Sequence, residues 1–147
     1  MADYENAAST QSEIAQRIAT KAHEGQVDKA GAPYINHPAH VAASVEGDNA
    51  KAVAWLHDVV EDTPITFADL ADQGMSPTVI DALRLLTHDE ATPYFDYIRA
   101  IKNNSIARAV KLADLRHNSD LSRIPNPSEK DFARMKKYRE AIAILEG

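Results

Sequence analysis

Four side chains in the stretch LHDVVEDT, residues 56–63, are of the types that hold metal ions or move protons: His57, Asp58, Glu61 and Asp62. At about 100° per residue, their i, i+1, i+4 and i+5 spacing places all four within an arc of roughly 140° on one helix face. The opposite arc carries Val53, Trp55, Leu56, Val59 and Val60, so the predicted helix is apolar behind, with Trp55 in packing, and acidic in front. Asp58 and Asp62 are like charges one turn apart. That repulsion is small on an exposed helix, grows on enclosure and is removed by a bound cation.

Two further segments supply matching groups. His37, in PYINHP, stands at a loop-to-helix junction between Pro33 and Pro38, where a side chain is held rigidly. Asp114 and Asn118, in KLADLRHN, are spaced i, i+4 and point the same way from a later helix. Asp is a poor mid-helix residue, and the neighbours Val110, Leu112, Ala113 and Leu115 bury it, so Asp114 needs a partner. Two His and two Asp suit an octahedral site with positions left for water or a phosphate oxygen, which fits Mn²⁺ or another first-row dication.

The elements that must position these residues are read as helices throughout, an all-α fold. The chain has only 5 Gly and 7 Pro, and its apolar residues recur at helical spacing. Ser9 or Thr10 caps a first helix with Ile14, Ala15, Ile18, Ala19 and Ala22 on one stripe, ending near Gly25, and residues 26–36 form a loop. Pro38 starts a second helix that runs to Gly47, and Asp48 or Asn49 caps a third over about 50–61, closed by Pro64. Thr66, Ser76 with Pro77, Thr92 with Pro93, and Asn103 or Asn104 start four more, the last over 105–118. A final helix follows Ser128, with Phe132, Met135, Ile142 and Leu145 turned inward.

Composition narrows the function classes. The 147 residues make one domain, with no linker or repeat dividing it. With no Cys, thiol nucleophiles and Cys-bound metals are excluded. A charge of 16 − 22 = −6 gives no broad basic surface, so duplex nucleic acid is not an expected partner. No apolar run is long enough to span a membrane, and MADYENAASTQSE lacks the regions of a signal peptide, so the expected location is cytoplasmic and residues 1–9 read as a loose N-terminus.

Taken in order, AHEGQVDKAGAPYINHP, LHDVVEDT and VKLADLRHN resemble the HD-superfamily hydrolase domain of the RelA/SpoT type, in particular its short single-domain members, the small alarmone hydrolases. The resemblance runs from about Ile14 to Leu121. It implies an HD-domain helical bundle with one metal site, binding Mn²⁺ and hydrolysing the 3′-pyrophosphate of (p)ppGpp to give GDP or GTP and pyrophosphate. Carried over by position, the metal ligands are His37, His57, Asp58 and Asp114, the catalytic pair is Glu61 and Asp62, and Lys29 and Asn118 line the nucleotide site. The long members carry a synthetase domain after this one, and residues 1–147 are expected to hold the hydrolase domain alone.

One departure bears on substrate. The long enzymes have Arg where this chain has Asp28, and a negative charge beside a polyanion weakens binding. Asp28 therefore keeps a second reading in play, the same metal chemistry on an adenine alarmone or on the phosphate of NADPH. A non-catalytic nucleotide sensor is a third reading. It predicts missing ligands, and none is missing.

In the hydrolase reading Glu61 or Asp62 orients the attacking water or takes its proton, helped by the pKa that one carboxylate raises in the other. Lys29, Lys111 and Arg116 are candidate phosphate contacts. Tyr34, Tyr94 and Tyr97 are read as core residues with stacking on a base as the alternative. His40 shares a face with His37 but matches no ligand position, and His23, His88 and His117 are read as structural, His23 orienting the loop that carries Lys29.

Overall fold

Five helix starts are fixed by side-chain caps, as the sequence predicts. The computed structural model describes residues 9–147, and of the expected loose N-terminus only Ser9 falls within them. Thr10, not Ser9, caps α1 (Gln11–Ala22), in a capping box with Glu13. Ser9 instead accepts a hydrogen bond from Arg17 at 3.2 Å. Thr66 caps α5 (Phe67–Asp72) and Ser76 caps α6 (Pro77–Leu86), which has Pro in its first turn. Asn104 caps α8 (Ser105–Asn118), and Ser128 caps α9 (Glu129–Glu146) in a box with Asp131. Pro93 precedes α7 (Tyr94–Ile101), and a 3₁₀ turn (Leu121–Arg123) links α8 to α9.

The fold is all-α. Its β-type pairing, among the described residues, is limited to a single bridge between Val27 and Pro33 in the loop after α1. At the centre lies α3 (Asp48–Leu56), whose Ala52, Val53, Ala54 and Leu56 are fully buried. It packs against α1, α2 (Asn36–Ala43), α6 and α8. The buried residues of α1 are Ala15 and Ala19, and those of α3 are rich in alanine, so the two backbones approach closely. Leu56, Leu83, Ile98 and Leu115 close the core, each worth about 1.5–3 kcal/mol of burial.

Three boundaries differ from the sequence reading. The second helix stops at Ala43 rather than Gly47, because Lys51 Nζ reaches over from α3 and donates to the carbonyls of Ala42 and Val45 at 3.0 and 2.8 Å. Gly47, at φ 92°, then turns the chain into α3 and stands at its cap position in place of Asp48 or Asn49, so that helix starts without a side-chain cap. The third helix does not run on to Glu61. It ends at Leu56, and a turn at His57 and Asp58 leads into the short α4 (Val59–Asp62). In α9, Met135 and Leu145 are buried and Ile142 is half-buried, but Phe132 is 54% exposed. The inward first-turn position belongs to Asp131, and Phe132 lies about 100° further round.

Candidate active site

The break between α3 and α4 is built by the first candidate ligand. Nδ1 of His57 lies 2.6 Å from the carbonyl of Ala54, the group that a continued helix would pair with the amide of Asp58. Asp58, at φ −106° and ψ −4°, then turns its side chain back over the ring. His57 and Asp58 so meet through a turn and not along one straight helix face, which breaks the four-residue arc read from spacing; Glu61 and Asp62 follow on α4, and only Glu61 lines the smaller cavity beside the cluster.

With Nδ1 of His57 held as a donor to a carbonyl, Nε2 keeps its lone pair in the neutral ring. Nε2 is buried without a hydrogen-bond partner, although it lies 3.0 Å from Asp58 Oδ2 and 3.5 Å from Asp114 Oδ1. Burial alone would lower the His57 pKa, but the carboxylates of Asp58 and Asp114 outweigh it and raise the value well above that of a free imidazole. The position thus calls for a cation, whether a proton or a metal ion.

His37, from the first turn of α2, brings Nε2 to 2.7 Å from Asp114 Oδ1. One donor atom from each of His37, His57 and Asp58 lies within 4.8 Å of the others, and Asp114 touches both rings. Imidazole nitrogens and carboxylate oxygens together fit a borderline dication. Asp114 is itself held on three sides, by His37, by Lys111 Nζ at 3.1 Å and by Asn118 Nδ2 at 3.0 Å. Burial would raise its pKa, but the Lys111 ammonium and the two histidines hold it well below the carboxylate range. Tyr34 donates its hydroxyl to Asp58 Oδ2, and burial, then Asp58, push the phenol pKa upward, so it stays a donor.

Glu61 accepts from the backbone amide of His88 and lines a cavity of about 140 Å³ together with His57, Asp58, Lys111 and Asp114. Tyr94 and Tyr97 close that cavity, and Tyr97 donates to the Leu86 carbonyl at 2.5 Å. Partial burial, with the charge of Asp58 added, raises the pKa of both Glu61 and Asp62 above the ordinary carboxylate values.

On the other side, a cavity of about 360 Å³ is lined by Asp28, Lys29, Tyr34, Asn118, Arg123 and Arg134. Tyr34 and Asn118 also hold Asp58 and Asp114, so this cavity adjoins the cluster. Lys29 is exposed and lies 3.5 Å from Asp131. Asp28 is no free negative charge: its Oδ1 accepts from the amides of Ala30 and Ala32 at 2.9 and 3.0 Å, and its Oδ2 lies 3.8 Å from Arg123. It shapes the loop, and Arg123 partly balances its charge.

Two candidate phosphate contacts are placed elsewhere. Lys111 is partly buried against Asp114 and lines only the smaller cavity. Arg116 faces out from α8 toward Glu146 at 3.5 Å and lines neither cavity. Arg123, Arg134 and Tyr138 line the larger cavity without having been singled out by the sequence. Their signal was faint, since each comes from the turn or helix after the last motif. His23 is buried, its Nδ1 3.0 Å from Gln26 Oε1 and its ring 4.9 Å from that of Tyr34. His88 packs its ring on Tyr97 at 4.4 Å.

Comparison with known proteins places this geometry. No protein-family profile matches the chain. It is 37% identical over 115 residues to a guanosine-3′,5′-bis(diphosphate) 3′-pyrophosphohydrolase of Haemophilus influenzae, covering 69% of this chain and 17% of the relative. It is 35% identical over 117 residues to the bifunctional (p)ppGpp synthase/hydrolase SpoT of Escherichia coli, covering 69% and 16%. The chain thus spans about a sixth of the length of these bacterial relatives. To the guanosine-3′,5′-bis(diphosphate) 3′-pyrophosphohydrolase MESH1 of Danio rerio it is 35% identical over 145 residues, covering 88% of this chain and 79% of that one. A solved structure described as a metazoan ortholog of SpoT that hydrolyzes ppGpp matches with a TM-score of 0.74 over 95% of this chain and 87% of that one, at 25% identity. Among the described residues, no helix is long and apolar enough to cross a membrane.

Proposed function

Because the chain belongs to the family of guanosine-3′,5′-bis(diphosphate) 3′-pyrophosphohydrolases, we propose that it removes the 3′-pyrophosphate of (p)ppGpp, releasing pyrophosphate and leaving GDP or GTP. The observation that carries this reading is the position of the His37, His57 and Asp58 cluster between a larger cavity, whose lining includes Lys29, Arg123 and Arg134 as well as Asp28 and Asp120, and a smaller one lined by Glu61. The 1–147 chain acts in this reading as one HD hydrolase domain.

His37, His57, Asp58 and Asp114 would hold one divalent cation, Mn²⁺ in this proposal. When bound, it supplies Lewis-acid polarisation of a phosphoryl oxygen and lowers the pKa of a bound water. Glu61 or Asp62 takes up the proton of the attacking water, and the raised pKa of each brings it nearer to the working pH of a general base. The water oxygen bonds to the phosphorus attached to the 3′ oxygen, that phosphorus–oxygen bond breaks, and a proton ends on the 3′ hydroxyl. Lys29, Arg123 and Arg134 face the remaining phosphates, since a polyanion requires several cations around it. Asn118 and Lys111 act on Asp114 by orienting it and balancing its charge. With the Asp28 carboxylate engaged by two amides, no feature of the larger cavity favours NADPH or an adenine alarmone over the guanosine substrate.

The test is pyrophosphate release from ppGpp by the purified chain with Mn²⁺, beside Asp62→Ala. Release that the variant loses supports the proposal. A protein that binds Mn²⁺ and releases nothing from ppGpp refutes it.

A further inference from the structure

Both ring nitrogens of His37 are engaged. Nε2 faces Asp114, and Nδ1 lies 2.7 Å from Nδ1 of His117, a residue that sequence reading left as structural. The two rings are 9° from parallel with centroids 4.9 Å apart. With the facing nitrogens so close, the rings meet edge to edge in a common plane, the geometry of an in-plane hydrogen bond rather than of a face stack. His117 is itself fixed. His40 covers its face at 3.9 Å and 14°, and its carbonyl accepts from Arg123 Nη1 at 2.8 Å.

Two imidazole nitrogens at hydrogen-bond distance share one hydrogen, so one ring donates and the other accepts. For His37 to offer the Nε2 lone pair to a metal ion, its own hydrogen must sit on Nδ1, and the group that receives it is His117 Nδ1. Metal-binding histidines usually place that second N–H on a carboxylate, a carbonyl or water. Here a neutral imidazole does so, with its hydrogen on the far nitrogen.

We propose that His117 is the positioning residue that sets the tautomer of His37, turning the Nε2 lone pair toward the metal position, and that His40 clamps the His117 ring in the plane this requires. The proposal rests on the reading of His37 as a metal ligand. His117 touches no substrate and acts only through His37.

The experiment compares Mn²⁺ affinity, by calorimetry on the metal-free chain, among wild type, His117→Phe, His117→Asn and His37→Ala. Phe fills the space without an acceptor, whereas the Asn side-chain oxygen falls near the position of Nδ1. The expected result is a loss of ~10–100-fold for His117→Phe, the range typical of such partners, and recovery of most of it by His117→Asn. Equal losses in both variants would make His117 a packing residue and overturn the proposal. Wild-type affinity in His117→Phe beside abolished binding in His37→Ala would overturn it too, leaving the ligand assignment standing. Wild-type affinity in His37→Ala would instead refute the ligand assignment. Should His117→Phe fail to fold, ring ¹⁵N shifts of the wild-type chain loaded with Zn²⁺ decide: hydrogen on Nδ1 of His37 is the expected result, and hydrogen on Nε2 overturns the proposal.

Discussion

Lys111 Nζ sits 3.1 Å from Asp114 Oδ2, one turn apart on α8, with the lysine side chain 16% and the aspartate 8% exposed. The pair joins a candidate ligand to a partly buried cation, and it changes what removal of Asp114 does. A site assembled from separate helices loses its metal with any one ligand, but here Asp114→Ala also leaves an ammonium without its counter-charge. The expected outcome is lost Mn²⁺ binding together with a destabilisation of ~3–5 kcal/mol, read from urea unfolding of the metal-free protein. Adding Lys111→Met to that variant restores stability and not metal binding.

The paired acids predict the opposite sign. Glu61 and Asp62 have folded-state pKa values raised by burial and by Asp58. A carboxylate raised on folding contributes stability below its unfolded pKa and loses it as pH rises through the folded value. At neutral pH the ionised pair therefore weakens the fold. Glu61→Gln and Asp62→Asn each should raise the thermal midpoint of the metal-free protein at pH 7 while abolishing hydrolysis, and the gain should vanish at pH values below the ordinary carboxylate range. A lower midpoint at pH 7 would contradict this.

Activity carries the same signature. The acid limb of the kcat/KM profile for ppGpp should inflect above the ordinary carboxylate range, since the base must be ionised to accept a proton. An inflection at the value of a free carboxylate would show that Glu61 and Asp62 work in a solvent-like setting.

Asp28→Arg should impair the protein. It removes the acceptor for the amides of Ala30 and Ala32 and sets a second cation against Arg123. Steady-state kinetics on ppGpp should show a several-fold rise in KM with a smaller change in kcat, and Asp28→Asn, which keeps the acceptor oxygen, a milder one. A fall in KM for Asp28→Arg would mean that the charge and not the turn governs this position.

Tyr34→Phe tests the far side of Asp58. Losing the hydroxyl that donates to Asp58 Oδ2 should weaken Mn²⁺ binding by up to about tenfold without unfolding the chain, because the ring keeps its place against His23 and His37. Unchanged affinity would show that Asp58 needs no such support.

What could be read from the sequence was local chemistry. Thr10, Thr66, Ser76, Asn104 and Ser128 cap their helices through contacts within three residues, so types and spacing sufficed. His37, His57, Asp58 and Asp114 were legible because each lies inside a motif, and the fold does bring them together. The turn at His57 was not, since it depends on one ring nitrogen reaching a backbone carbonyl, which periodicity does not encode. Arg123 became visible only when the turn after α8 folded back over the loop of Asp28, and the part of His117 only when the end of α8 met the first turn of α2. At Asp28 the sequence showed the charge but not its surroundings, two loop amides and Arg123, which come from the folded loop and from the turn after α8.

The burial of α3 sets how the site meets its ion. In its last turn Val53, Ala54 and Leu56 are fully buried and Trp55 is partly so, and His57 leaves from that end. Native-state hydrogen exchange in this turn should therefore proceed only through global unfolding. If His57 is a metal ligand as proposed, it is in place before any ion arrives, so capture should show a small heat-capacity change and no slow ordering phase, with the rate governed by how fast the ion sheds water rather than by the protein.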